Sequence, residues 1–113
     1  MTPALQTVPR YDGLSAGESA KIHAIMEAVS SFTGVDVASL VGERRTARIA
    51  QARHLAMAAI RHTTKLSLME VGEIFHRDHG TVIHAIRAVN NRVATCADTK
   101  ALYEELTPRP ERQ

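Results

Sequence analysis

The sequence predicts an all-helical domain, and three observations lead to that prediction. Aromatic residues make up only 4% of the chain and Trp is absent, so an apolar core has to be built from Ala, Val, Ile, Leu and Met. Ala and unbranched apolar residues lose little side-chain freedom in a helix. Apolar residues also recur at three- and four-residue spacing, the period of an amphipathic helix. Finally, sequences that cap helix N-termini precede two of these periodic segments.

The chain is predicted to contain a leader, one domain and a tail. Residues 1–14 hold two prolines and a glycine without a helical apolar pattern, so we expect a disordered leader. The domain covers residues 15–106, and the polar residues 107–113 are expected to be a flexible tail. No apolar run approaches the roughly 20 residues that span a bilayer, and no secretory signal is visible. With a single cysteine, Cys96, the chain is expected in the reducing cytoplasm, with no membrane contact.

A first helix is predicted to extend from Ser15 to about Thr33. Ser15 and Glu18 have the spacing of a capping box, in which each side chain accepts a backbone hydrogen bond from the other residue. The helix has one apolar stripe, formed by Ile22, Ile25, Met26, Val29 and Phe32. Gly34 follows the last residue of that stripe and is expected to end the helix.

A helical turn, a basic loop and a second helix are predicted next. Residues 35–41 are short and apolar, and a helical turn capped by Asp36 is favoured over a strand because no similar run lies nearby to pair with it. Residues 42–48 are basic and lack an apolar period. The second helix should extend from about Ile49 to Thr63, with a broad buried side rich in small residues.

The most informative segment begins at Ser67. Ser67 and Glu70 form a second capping box, which starts a third helix of about eight residues. A turn at residues 76–78 follows, in which Asp78 is a suitable N-cap because its carboxylate favours the positive end of the next helix.

The fourth helix has two distinct faces on a wheel of about 100° per residue. One narrow apolar stripe is formed by Val82, Ile86, Val89 and Val93. The opposite side carries Gly80, His84, Arg87 and Asn91, with Thr81 and Ala88 at its flank. Asp98 is expected to cap a last short helix that ends at Leu106.

Two helices joined by a short turn, the second with a polar outer face, are typical of a helix-turn-helix DNA-binding motif. Its second helix enters the major groove, where His79, Thr81, His84 and Arg87 are suited to contact base edges. An ordinary helical hairpin with a polar face has the same pattern, and the pattern alone slightly favours this simpler interpretation.

The charge distribution is asymmetric. Residues 44–92 contain nine Lys/Arg and three Asp/Glu, a balance of +6, whereas the remainder has five and nine, a balance of −4. A basic block beside an acidic remainder is typical of a phosphate-binding surface, although a solvated charged face gives the same count. The basic segment at 44–48 is a candidate arm for a narrow minor groove, with a solvated linker as the alternative.

Metal and catalytic chemistry are not expected. His76, His79 and His84 are close in sequence, but their spacing matches neither the His-Glu-x-x-His motif of a zinc helix nor the paired Glu-x-x-His of a di-metal bundle. The sequence has neither a nucleophile elbow nor a Gly-rich phosphate loop. We therefore expect no metal, no nucleotide or other cofactor, and no enzymatic activity.

Three segments resemble a known family. They are RHLAMAA at residues 53–59, SLMEVGEIF at residues 67–75 and RDHGTVIHA at residues 77–85. Together they resemble the C-terminal DNA-binding domain of the bacterial chromosomal replication initiator DnaA, over about residues 20–95. The resemblance implies an all-helical, TrpR-like domain whose helix-turn-helix binds the major groove of a short asymmetric DNA box.

The resemblance also implies roles for particular residues. Arg45 corresponds to a loop arginine that enters the minor groove. Arg53 and Arg61 correspond to basic positions that contact phosphates and bases, and Leu68 and Met69 to positions whose backbone approaches phosphate. The positions that face the major groove correspond to Asp78, His79, Thr81 and His84.

Several positions depart from the family pattern. One residue, His76, stands where the family usually has two glycines, so the recognition helix is expected to lie at a changed angle. Gly80 occupies a groove-facing position where Thr or Ser is common, and we keep it as a candidate DNA-binding residue. His54 and Met69 replace a common Gln and a common Pro. DNA binding is expected to survive with a relaxed or different site preference.

No segment of the sequence resembles the ATP-binding motor of the initiator. We therefore expect a stand-alone regulator of replication initiation or transcription that binds duplex DNA as a monomer in the nucleoid, with a replication or transcription protein as a further candidate partner. The alternative is a protein-interaction adaptor that retains the fold but has lost specific DNA binding. In that case a basic partner would dock on the acidic residues, Glu18, Glu27, Glu104 and Glu105.

Overall fold

Six α-helices account for most of the residues that the computed structural model describes, residues 16–43 and 46–107. In chain order they are α1 (Ala16–Thr33), α2 (Val37–Leu40), α3 (Ala47–Thr63), α4 (Leu68–Ile74), α5 (His79–Thr95) and α6 (Ala97–Leu106). No strand occurs in these two ranges, in agreement with the all-helical prediction. The predicted leader, residues 108–113 of the predicted tail, and Arg45 lie outside the described residues. None of the described helices is long and apolar enough to cross a membrane.

Helix α3 lies at the centre of the fold and packs against both α1 and α5. Its residues 55–60 are buried without interruption, and three of these six are alanine. Small side chains let neighbouring helix axes approach closely, so α3 can contact several helices at once. The helix begins two residues before the predicted Ile49, because the Thr46 hydroxyl accepts a hydrogen bond from the Ile49 N–H at 3.4 Å.

Helix α1 buries most of its predicted stripe, with one exception. Ile22, Ile25, Met26 and Val29 are buried, whereas Phe32 is 61% exposed and the prediction for this residue was wrong. On the helical wheel Phe32 lies about 80° from Ile22, at the margin of the stripe. The end of α1 lies beside a charged group, the guanidinium of Arg48. This group donates to the Thr33 carbonyl through Nε at 3.1 Å and Nη2 at 2.8 Å.

The turn between α4 and α5 depends on close backbone packing. The predicted capping box is present: the Ser67 hydroxyl accepts from the Glu70 N–H, and the Glu70 carboxylate accepts from the Ser67 N–H. The Arg77 N–H then donates to the Gly72 carbonyl at 2.8 Å. A Cβ on Gly72 would lie 2.4 Å from the Arg77 carbonyl oxygen, so only glycine fits. His76 has a φ of +57°, the left-handed conformation that glycine adopts more readily than any other residue.

The two remaining caps differ in how closely they match prediction. Asp36 precedes α2 as predicted, but its carboxylate accepts from the Ser39 hydroxyl at 2.7 Å instead of from a backbone N–H. The N-cap of α6 is Cys96, and the predicted cap Asp98 lies within the first turn of that helix. Thr107 is buried and its hydroxyl donates to the Tyr103 carbonyl at 2.8 Å, so the packed part of the chain includes this first residue of the predicted tail.

Candidate nucleic-acid interface

Helix α5 presents one face to the core and the other to solvent. Val82, Ala85 and Val89 are buried. The opposite side is exposed over four residues, namely Gly80, His84, Arg87 and Asn91. This separation agrees with the wheel derived from sequence, and it leaves an exposed row of polar side chains along the second helix of the helical pair.

The start of α5 is fixed by Asp78 and Thr81. The Asp78 carboxylate accepts from the Thr81 N–H at 2.9 Å and from the Thr81 hydroxyl at 2.9 Å. The backbone hydrogen bond and then the hydroxyl hydrogen bond lower the pKa of Asp78, so its negative charge at the helix start is favoured. Because the Thr81 hydroxyl proton is directed at Asp78, the Thr81 oxygen is left as an acceptor. His79, the first residue of α5, is exposed.

A residue missed by the sequence analysis adjoins the exposed face of α5. The His54 ring, on α3, packs edge-on against the His84 ring with their centroids 5.6 Å apart. Burial, followed by the positive charges of His84 and Arg53, lowers the pKa of His54 and favours its neutral form. The sequence identified His54 only as a substitution for a common Gln. No local signal gives its contact with His84, because the contact depends on how α3 crosses α5.

Arg53 is placed differently from a surface phosphate contact. It is only 4% exposed, and its guanidinium donates to the Leu40 carbonyl through Nε at 2.7 Å. Its Nη2 donates to the Ser39 carbonyl at 3.0 Å and to the Gly42 carbonyl at 3.1 Å. These hydrogen bonds of the buried Arg53 attach α2 and the following loop to α3.

Arg77 makes a second attachment to the same loop. Its Nη2 donates to the Gly42 carbonyl at 2.8 Å, and its Nη1 donates to the Phe75 carbonyl at 3.0 Å. One carbonyl oxygen thus accepts from Arg53 of α3 and from Arg77 of the helix-turn-helix turn. The sequence analysis assigned neither arginine this role, since the shared acceptor is a main-chain atom distant from both in sequence.

The other candidate residues lie near the end of α3 and the start of α4. Arg61 is exposed and its Nη1 donates to the Leu66 carbonyl at 2.9 Å. Leu68 is half-buried, whereas Met69 is 65% exposed. Within residues 16–43 and 46–107, no group of three or more His, Cys, Asp or Glu side chains is arranged to hold a metal ion.

Helix α4, the glycine-dependent turn and the polar face of α5 together define a helix-turn-helix domain. Residues 22–89 match the family model of the bacterial DnaA protein helix-turn-helix. The chain therefore belongs to the DnaA helix-turn-helix family, whose matched region is a DNA-binding motif and not a catalytic domain.

Two known proteins illustrate the relationship. The chromosomal replication initiator protein DnaA 1 of Chlamydia trachomatis serovar D is 33% identical over 104 residues, which cover 88% of this chain and 23% of that protein. A crystal structure of a DNA replication initiation factor has 32% identity and a TM-score of 0.69, over 80% of this chain and 29% of that chain. The chain therefore spans less than a third of each of these relatives.

Proposed function

We propose that this protein binds duplex DNA at sites similar to DnaA boxes and regulates replication initiation or transcription by occupying them. The observation that supports this most directly is the exposed face of α5, which carries His84 and Arg87, with the half-buried Thr81 at its flank, on the second helix of a DnaA-family helix-turn-helix. Binding alone would produce the effect, without a catalytic step. The expected location is the nucleoid, with one monomer on each site.

In this proposal the N-terminal half of α5 reads the major groove. His79, His84 and Arg87 can donate to the acceptors of guanine, and the Thr81 oxygen can accept from an amino group of adenine or cytosine. Arg61 and the backbone at Met69 are placed in this proposal against the phosphates, and Arg45 in the minor groove. Because phosphate contacts release counterions, binding should weaken steeply as salt rises.

Gly80 is expected to relax the choice of sequence. A Cβ at this position would meet only an Asp78 carboxylate oxygen at 3.6 Å, an ordinary contact, so packing does not demand glycine here. The absence of a side chain removes a base contact worth roughly 1–3 kcal/mol of discrimination. The protein is therefore proposed to accept a broader set of boxes than a relative with Thr at the same position.

Fluorescence anisotropy with labelled duplexes tests the proposal. A duplex containing a DnaA box should bind more tightly than a scrambled duplex of equal length and composition, and the logarithm of the binding constant should fall linearly with the logarithm of salt. A Gly80→Thr variant is expected to increase the ratio between the two duplexes. Absence of binding to any duplex at low salt would refute DNA binding, and equal binding to both duplexes would refute box recognition.

A further inference from the structure

A cleft of about 250 Å³ opens between α3, α5 and α6, to one side of the exposed face of α5. Its floor is apolar and consists of Ala52, Leu55, Ala88, Val89 and Leu102. Its rim carries Arg48, Gln51, His54 and Arg92. The proposed DNA contacts use none of these residues, although the cleft adjoins the exposed face of α5 at His54.

The rim of the cleft is cationic. Arg48 and Arg92 are both exposed, and no Asp or Glu is among the residues that line the cleft. Arg48 is held in place because its Nε and Nη2 both donate to the Thr33 carbonyl. No carboxylate in the described part of the chain forms an ion pair with Arg92. A ligand with carboxylates would therefore meet two guanidinium groups without displacing a carboxylate of the described residues.

The size and the floor of the cleft select the kind of ligand. Pockets for drug-sized molecules usually have roughly 300–1,000 Å³, so this cleft suits one anchoring side chain better than a whole small molecule. The half-buried Ala88 and Leu102 leave room over the floor for an apolar group. A DNA backbone has phosphates for the rim but no apolar side chain for the floor. An acidic peptide that carries an apolar residue has carboxylates for the rim and an apolar side chain for the floor.

We propose that this cleft binds a short acidic segment of a partner protein, whose apolar side chain rests on the floor while its carboxylates contact Arg48 and Arg92. The segment would lie beside His54, whose ring touches His84 on the exposed face of α5. Binding in the cleft is therefore expected to be sensed at His84, and this gives a spectroscopic readout away from the peptide itself.

Selection from a random peptide library displayed on phage, against the immobilised full chain, tests the proposal. The enriched peptides should carry an apolar residue with acidic neighbours. Synthetic copies should bind Arg92→Glu at least about tenfold more weakly, because like charges repel across an interface. Ala88→Phe, which fills the floor and keeps the charge, should also lose binding. Lys21→Glu, the same charge change at an exposed position on α1, should bind as the wild type does.

Three results would overturn the proposal. The first is an enriched set without acidic residues, or no enrichment at all. The second is equal binding of the selected peptides to wild type and Arg92→Glu. The third is a fall of about one in the salt slope of DNA binding in Arg92→Ala, which would assign the cleft rim to DNA phosphate.

A separate NMR experiment tests the location of the peptide. With the peptide bound, NMR should show shifted ring signals for His54 and His84, and unchanged signals would contradict the location.

Discussion

Helices α3 and α5 have the same length, 17 residues, and opposite uses. Eight residues of α3 are buried, including the charged Arg53, whereas only three are buried in α5. Arg53 on α3 donates its hydrogen bonds to main-chain carbonyls, while Arg87 on α5 is exposed. Residue type alone therefore does not identify a nucleic-acid contact. The helix that carries the arginine, and its depth in the fold, decide whether the charge reaches a ligand.

The largest expected effect follows from removing the buried arginine. Arg53→Ala should lower the free energy of unfolding by about 2–4 kcal/mol, because each buried carbonyl left without a donor costs roughly 1–3 kcal/mol. Urea denaturation measures this change. Arg87→Ala is the matched control on α5 and should change stability by less than about 0.5 kcal/mol. Equal effects of the two substitutions would remove the distinction between the helices.

A second contrast between the two helices compares an alanine on α3 with an alanine on α5. Ala56→Leu on α3 should destabilise by about 1–3 kcal/mol, because Ala56 has no exposed surface and the added atoms overfill the core. Ala94→Leu on α5 should have an effect within about 0.5 kcal/mol, since Ala94 is exposed. Thermal unfolding of both variants provides the test. A tolerated Ala56→Leu would mean that the core around α3 is loosely packed.

The next effect concerns binding and follows from the proposed function. His84→Ala should reduce discrimination between a box and a scrambled duplex by roughly 1–3 kcal/mol, since a lost base contact is worth that much. Stability should change little because His84 is exposed. Asn90→Ala is the control in the same anisotropy assay, because Asn90 is also exposed on α5 but lies beside the face that carries His84 and Arg87. An unchanged binding ratio in His84→Ala would exclude His84 from base reading.

The smallest expected effect is a pH dependence where α3 meets α5. The folded protein lowers the pKa of His54 below its ordinary value of 6.5, mainly through burial, so the unfolded chain binds the proton more readily. This contribution to stability is present above pH 6.5 and is lost as the pH falls through the folded pKa. Urea midpoints measured across this range should fall less steeply for His54→Gln than for wild type. Parallel pH profiles would contradict this cause.

Local features of the fold could be predicted from sequence because they depend on neighbours along the chain. The Ser67–Glu70 capping box, the Asp78 N-cap and the two faces of α5 each require only residues within one or two helical turns. The cap of α6 was misplaced because Asp98 is a good capping residue by type, whereas the backbone leaves the helix at Cys96. Phe32 was misplaced because it lies at the margin of the apolar stripe, about 80° from Ile22, where periodicity alone does not decide burial.

The parts of the site that could not be predicted depend on how helices cross. The burial of Arg53 and the contact between His54 and His84 require the position of α3 relative to α2 and α5. A buried arginine also looks the same in sequence as an exposed one. The family resemblance covered the region that the family model matches, residues 22–89, but the contacts of Arg53 became visible only once the distances were known. The DNA roles of Arg61, Met69 and the α5 side chains remain predictions.

The Gly42 carbonyl has a mechanical consequence. It accepts from Arg53 at 3.1 Å and from Arg77 at 2.8 Å, so α3, the loop after α2 and the turn before α5 share one point of attachment. A displacement of that loop is transmitted directly to the turn, without passing through the apolar core. These two hydrogen bonds therefore fix the distance between the loop and the start of α5. A ligand that requires a different separation would have to break a charged hydrogen bond before it could bind.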